Sequence, residues 1–140
     1  MRHETNVEEK PRAFAISSAD VTREGDDHLV YGNVTWHTLI SADRTPSREM
    51  VFGIAHFEPG GWLGLHSHAP AEFYFGLSGE GTATIDGAEF RIAPGVAVYI
   101  PGNAEHGVVA GLQGLSFAYG FAVHAFNEIA YRYSAEAAKS

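Results

Sequence analysis

The sequence predicts an all-β chain, folded as one antiparallel sandwich or barrel. Three observations point there. From Leu29 onward the chain runs in short segments rich in Val, Ile, Phe, Tyr and Thr, residues whose branched or flat side chains suit a pleated, half-buried surface. The chain holds sixteen Gly and six Pro, all but Gly25 and Pro11 from Leu29 onward, which favours many tight turns over long helices. Asp86-Gly87 separates Thr82-Ala-Thr-Ile from Ala88-Glu-Phe-Arg-Ile, a two-residue hairpin signal.

Taken in order, residues 1–28 read as an N-terminal arm, charged over Met1 to Arg12. Within it, Ser17-Ser18-Ala19-Asp20 is set to cap a short helical turn that Gly25 ends. Residues 29–134 form the barrel, with strands expected at 34–40, 50–57, 63–68, 71–77, 81–86, 88–92, 96–100, 105–109, 115–122 and 128–133. Around ten short strands with a turn every eight to twelve residues suit an antiparallel barrel or jelly roll. The tail, 135–140, has helix-forming composition but is short enough to fray. No linker, charge block or repeat divides the 140 residues, which suffice for one ordinary domain and not for two.

Composition narrows the function classes. Apolar residues make up 45% and charged residues 19%, a globular balance. Seventeen acidic against nine basic side chains give a formal charge of -8, with no Lys/Arg cluster. Nucleic acid and anionic membrane surfaces are therefore not expected as partners. The absence of Cys excludes disulfides, thiolate zinc sites and thiol catalysis. The charged N-terminus lacks the apolar core of a signal peptide, and no apolar run reaches the ~18 residues of a membrane span. A cytoplasmic location is expected.

Chemistry concentrates in the histidines, of which there are eight. His66 and His68 are one residue apart, so on a strand both imidazoles share a face. Glu72 follows across Ala69-Pro70, where the chain can turn back beside itself, and His106 comes after Pro101-Gly102. Three imidazoles and one carboxylate suit a divalent transition metal, Fe(II), Mn(II), Zn(II), Ni(II) or Co(II). Such a set leaves coordination positions open for water or substrate. Tyr74 is two residues after Glu72 and shares its face, where it is either a general base or a barrel tyrosine packed for stability. Tyr131 and Tyr133 share a face near the C-terminus. Trp36 is either core or an aromatic surface for a cationic group. His56 has the parity of Ile54 and Glu58, so it either faces the pocket or lies on the solvent side. Glu105 should point away from His106, and His3, His28 and His124 show no spacing relation to the four donors.

The spacing Gly60, five residues, His66-Ser-His68, three residues, Glu72, six residues, Gly79 matches the first cupin motif at every fixed position. Gly95, five residues, Pro101, four residues, His106 matches much of the second, with Asn103 where a Gly is usual and Ala110 where an Asn is usual. These departures bear on turn geometry, since neither position supplies a ligand. The resemblance implies a conical cupin β-barrel with one divalent metal inside, Fe(II) first and Mn, Zn or Ni as alternatives. It also implies a possible homodimer.

Further stretches resemble the small cupin lyases that cleave dimethylsulfoniopropionate to dimethyl sulfide and acrylate. They are Tyr31 to Asp43, Pro59-Gly-Gly, His66-Ser-His-Ala-Pro-Ala-Glu-Phe-Tyr74, Val98-Tyr-Ile-Pro-Gly-Asn-Ala-Glu-His106 and Phe126 to Tyr131. That resemblance implies His66, His68, Glu72 and His106 as metal ligands and Tyr74 and Tyr131 as catalytic tyrosines. Trp36, Tyr133 and His56 are then the candidate substrate contacts, and the substrate is a small molecule. Two other readings share the first shell: an Fe(II) and O2-dependent cupin dioxygenase, and a non-catalytic cupin that binds a small ligand.

Overall fold

The computed structural model describes residues 10–26, 28 and 31–137. Parts of the expected arm (1–9), of the barrel's entry (29–30) and of the tail (138–140) lie outside the described residues. Eight strands form one antiparallel sheet: β1 Thr35–Ile40, β2 Val51–Phe57, β3 Trp62–Ser67, β4 Glu72–Ile85, β5 Ala88–Ile92, β6 Ala97–Ile100, β7 His106–Phe121 and β8 Arg132–Tyr133. The path β1-β2-β7-β3-β8 is extended by β4, which pairs with β5, β6 and β7. Among the described residues no helix is long and apolar enough to cross a membrane.

Local signals in the sequence place the turns. Asp86 and Gly87 take φ of 47° and 84°, both positive as a tight two-residue hairpin demands, and Ile85 pairs with Ala88 across them. Ser18–Asp20 is a single 3-10 turn whose Ser17 side chain accepts from the Ala19 N–H at 3.2 Å. The tail supplies only α1, Ser134–Ala137.

Three expectations are corrected. The predicted strands 71–77 and 81–86 are one strand, β4, and 105–109 and 115–122 are one strand, β7. The two pair along nearly their whole lengths, with register shifts at Gly76/Ser78 and Gly79/Gly81. A sequence-level turn signal thus becomes a bend, because the partner strand bends with it. Of the predicted strand 128–133 only Arg132–Tyr133 is strand, β8; 129–131 take no regular structure, and the 3-10 turn Phe126–Glu128 ends at its first residue. There the Ala125 N–H donates to the Glu128 carboxylate at 3.0 Å, a side-chain bond that replaces ladder pairing.

Alternation along β2, β4 and β7 sets the core. Val51, Ala55, Phe57, Tyr74, Phe117, Tyr119 and Phe121 pack inside, together with Val98 and Ile100 of β6. Gly53 belongs to the inward set. A Cβ there would fall 2.3 Å from the Tyr119 hydroxyl oxygen, so the missing side chain is what admits the Tyr119 ring.

Candidate metal centre

Four donors from three places in the chain meet inside the barrel. His66 lies near the end of β3 and His68 just beyond it, while Glu72 and His106 open β4 and β7. His66 is in register with His106, and with Tyr133 on its other side. The H-x-H parity delivers both imidazoles inward, with His66 1% and His68 3% exposed, while Leu65 between β3's inward positions stays exposed at 41%. Glu72 is 7% and His106 1% exposed.

One ring nitrogen of each of the three histidines lies within 4.8 Å of those of the other two. Glu72 Oε1 is 3.2 Å from His68 Nε2 and 3.2 Å from His106 Nε2. Every imidazole is oriented from behind. Nδ1 of His66 donates to the Gly64 carbonyl at 2.7 Å, Nδ1 of His68 to the Pro70 carbonyl at 2.9 Å, and Nδ1 of His106 to the Ala104 carbonyl at 2.9 Å. A carbonyl only accepts, so each Nδ1 carries the hydrogen and each Nε2 is left for the centre. Two such nitrogens facing a carboxylate oxygen are mutually repulsive unless a proton or a cation sits between them. The donor set therefore fits a divalent metal by its own chemistry.

Protonation follows the same logic. Burial pushes His66 down to about 4, helped by the neighbouring His106, so it stands neutral, as a metal ligand must. Burial alone would lower His68, but the hydrogen bond and charge of Glu72 outweigh it and the net direction is up. Burial would raise Glu72, yet the hydrogen bonds from His106 and His68 hold it below the usual carboxylate range.

Aromatic rings enclose the cluster. Tyr131 lies 5.3 Å from His66 and 5.2 Å from His68 between ring centres, Tyr133 5.3 Å from His66, and Phe121 5.1 Å from His68. Tyr74 lies 6.4 Å from His106 and packs on Phe117 at 4.1 Å. Among the described residues the buried Tyr74 hydroxyl meets no hydrogen-bond partner, and neither does Trp36 Nε1. Burial, then the Glu72 charge, raises both Tyr74 and Tyr131 well above 10; burial, then Tyr31, raises Tyr133 to about 12. Trp36 meets Phe126 edge-on at 6.2 Å, and Phe126 in turn lies 6.2 Å from Tyr131, so Trp36 stands one ring back from the cluster.

The segment that carries Phe126 and Tyr131 is held by the β1–β2 loop. The fully buried Ser41 accepts the Phe126 N–H at 2.8 Å and donates to Asp43, while the Ala42 N–H donates to the His124 carbonyl at 2.8 Å. His124, without a predicted role, also receives the Glu49 N–H at 2.9 Å.

His56 is corrected as a pocket residue. It shares the face of Phe52 and Ile54, opposite the core residues Val51, Ala55 and Phe57, and its Nε2 lies 2.9 Å from His37 Nδ1. Glu105 turns outward as expected, bonded to Ser134. Asn103, in place of the usual Gly, adopts φ of 67°, a left-handed conformation Asn tolerates, and its N–H donates to the His68 carbonyl at 2.8 Å. The turn keeps its geometry despite the substitution. Sequence reading missed Tyr119 and Phe121, whose alternation with Phe117 on β7 was the available signal. Tyr119 is in register with Tyr74 and contacts the Thr38 hydroxyl at 3.3 Å.

A cupin domain model matches residues 53–112. The dimethylsulfoniopropionate lyase DddW of Ruegeria pomeroyi is 52% identical over 123 residues, covering 88% of this chain and 81% of that protein. Among solved structures, the polyketide cyclase RemF from Streptomyces resistomycificus superposes with a TM-score of 0.73 at 21% identity, over 88% of this chain and 86% of that one. A cupin-2 domain protein from Rhodospirillum rubrum gives 0.70 at 22%, over 93% and 87%. At those identities the structural likeness speaks for the fold alone. Together with the buried His/His/Glu/His cluster, the domain match and the 52% relative place this chain in the cupin family, in the same group as that lyase.

Proposed function

We propose that this protein is a metal-dependent cupin lyase that converts dimethylsulfoniopropionate to dimethyl sulfide and acrylate by β-elimination. The supporting observation is a relative with that activity in its name, 52% identical over most of both chains, joined to a buried cluster of three imidazoles and a carboxylate. His66, His68, Glu72 and His106 would hold one metal ion, taken here as Fe(II). When bound, such a cation draws electron density from the substrate carboxylate and acidifies the adjacent C–H.

The chain's own residues account for the rest. Phe126, Tyr131 and Tyr133 offer ring faces to the sulfonium, a cation that aromatic surfaces attract, with Trp36 backing Phe126. Tyr74, whose oxygen is buried without a partner, is the proposed base, with Tyr131 as the second candidate. A cation held at the centre would offset the burial and the Glu72 charge that raise Tyr74 and favour its phenolate, the phenolic proton having left to solvent before the substrate enters. That phenolate would take the α-hydrogen, and the released electron pair becomes the C=C bond of acrylate. The C–S bond breaks with its electrons on sulfur, so neutral dimethyl sulfide departs. The proton stays on the tyrosine oxygen until solvent takes it. Burial of the cluster keeps bulk water from the reacting carbon.

The proposal takes residues 29–134 as the catalytic barrel, the cytoplasm as the location and a homodimer as the working form. It is tested by measuring acrylate, dimethyl sulfide and O2 together. Equimolar acrylate and sulfide without O2 uptake is the expected outcome. O2 uptake with neither product would replace the lyase with a dioxygenase.

A further inference from the structure

A second pair of facing imidazoles lies on the opposite side of the sheet from the buried cluster. His37 and His56 come from the neighbouring strands β1 and β2, where His37 is in register with Ile54 and Thr35 with His56. The two histidines therefore stand diagonally across the strand pair. Both turn away from the core, since Thr38 beside His37 reaches inward to Tyr119, and Ala55 and Phe57 beside His56 are core residues. Nδ1 of His37 lies 2.9 Å from Nε2 of His56, with the rings edge-on at 89°. Neither residue has a part in the reaction proposed above. We propose that His37 and His56 form a second metal site, a two-imidazole chelate on the outer face that takes Zn(II), Cu(II) or Ni(II).

Geometry, protonation and donor chemistry all favour a metal ion between the two rings. Neutral imidazoles at this distance share one hydrogen, which one ring donates to the lone pair of the other. An ion takes its place once the donating ring moves that hydrogen to its other nitrogen, so both rings stay neutral and no proton is lost. Metal–nitrogen bonds of ~2.0–2.1 Å at a tetrahedral ion set two nitrogens ~3.3 Å apart, a few tenths of an ångström beyond what the strands already hold. Burial, then Arg23, then His37 lower His56, which keeps its lone pair free near neutral pH. Arg23 also opposes a dication, while the chain's net charge of -8 draws one in. The donor set decides which ion. Imidazole without carboxylate suits Zn(II), Cu(II) and Ni(II), whereas Mg(II), Ca(II) and Mn(II) call for oxygen ligands. Nearby oxygens are engaged elsewhere: Glu24, whose backbone pairs with Trp36, holds Arg44, and Ser116, in register with His56, contacts Ser78. Water then completes the coordination. Strand β1 ends the strand path of the sheet, so the ion ties this outermost strand to β2. None of this depends on the reaction, so the second site and the lyase reading stand or fall separately.

Calorimetric titration of Zn(II) into the full-length protein, its barrel cluster already holding one equivalent of Zn(II), is the test. One further equivalent should bind, more weakly than the first. His37→Asn and His56→Asn each leave a single imidazole. Either should weaken the second event by roughly tenfold or more, because the second bond of a chelate forms within the molecule. The first equivalent and the circular dichroism should stay as in the unaltered protein. Saturation at one equivalent in total overturns the proposal, and so does a second event that both variants retain. Should either variant fail to fold, the unaltered Zn(II)-loaded protein decides instead. Ni(II) added below one equivalent should shift and broaden the imidazole proton signals of His37 and His56 before those of the other histidines. Broadening that begins at any other histidine, or at none, contradicts the site.

Discussion

Glu72 Oε1 and His106 Nε2 lie 3.2 Å apart, although 34 residues separate them in the chain. The contact exists because β4 and β7 each open with one of these residues, near opposite ends of a long antiparallel pair whose two halves bend toward each other. Glu72→Gln keeps the shape of the side chain and removes its charge. Metal affinity should fall by more than the roughly 10- to 100-fold that loss of an outer partner costs. Metal content after dialysis against a weak chelator measures this; unaltered occupancy would take Glu72 out of the ligand set.

Tyr74→Phe should separate catalysis from stability. The Tyr74 oxygen is buried and makes no hydrogen bond, so deleting it removes an unsatisfied group and should leave stability the same or slightly higher. Turnover should drop by about 10²- to 10⁴-fold, the usual contribution of a general base. Urea unfolding and product assay on the same preparation read both quantities. Full turnover in the variant would pass the role to Tyr131.

Much of this was legible in the chain itself, for definite reasons. Side-chain alternation is a local property, so the inward pairing of His66 with His68 and of Glu72 with Tyr74 follows from spacing alone. Parity says which residues share a face and not which face is inside. His56 therefore stayed ambiguous until the inward gap at Gly53, filled by Tyr119, fixed the orientation of β2. Likewise, whether Gly79 and Gly114 break their strands or bend them depends on the strand opposite. With both at positive φ and packed together, they bend.

Ser41 joins the β1–β2 loop to the segment bearing Tyr131 without touching the cluster. Ser41→Ala leaves the Phe126 N–H without its acceptor and should cost about 1–3 kcal/mol. Urea unfolding checks the loss. Because Tyr131 would be less firmly placed, KM for the substrate should rise as well. A variant as stable as the parent would show that the clamp does not hold the segment.

The His37–His56 pair predicts a pH effect away from the metal. Burial, then Arg23, then His37 lower His56 below its ordinary 6.5. A histidine lowered in the folded state protonates first in the unfolded chain, so its contribution to stability is complete above pH 6.5 and is lost as pH falls below that value. Proton NMR titration should place the His56 midpoint below 6.5, and His37→Asn should raise it. A midpoint at or above 6.5 would contradict the packing described for the pair.

The central claim is the lyase reaction, and headspace gas chromatography for dimethyl sulfide tests it most directly. Fe(II)-reconstituted protein is incubated with dimethylsulfoniopropionate beside a Glu72→Ala control. Sulfide release by the first and none by the second is the expected result. No release from protein with confirmed metal occupancy, whether loaded with Fe(II), Mn(II), Zn(II) or Ni(II), would contradict it.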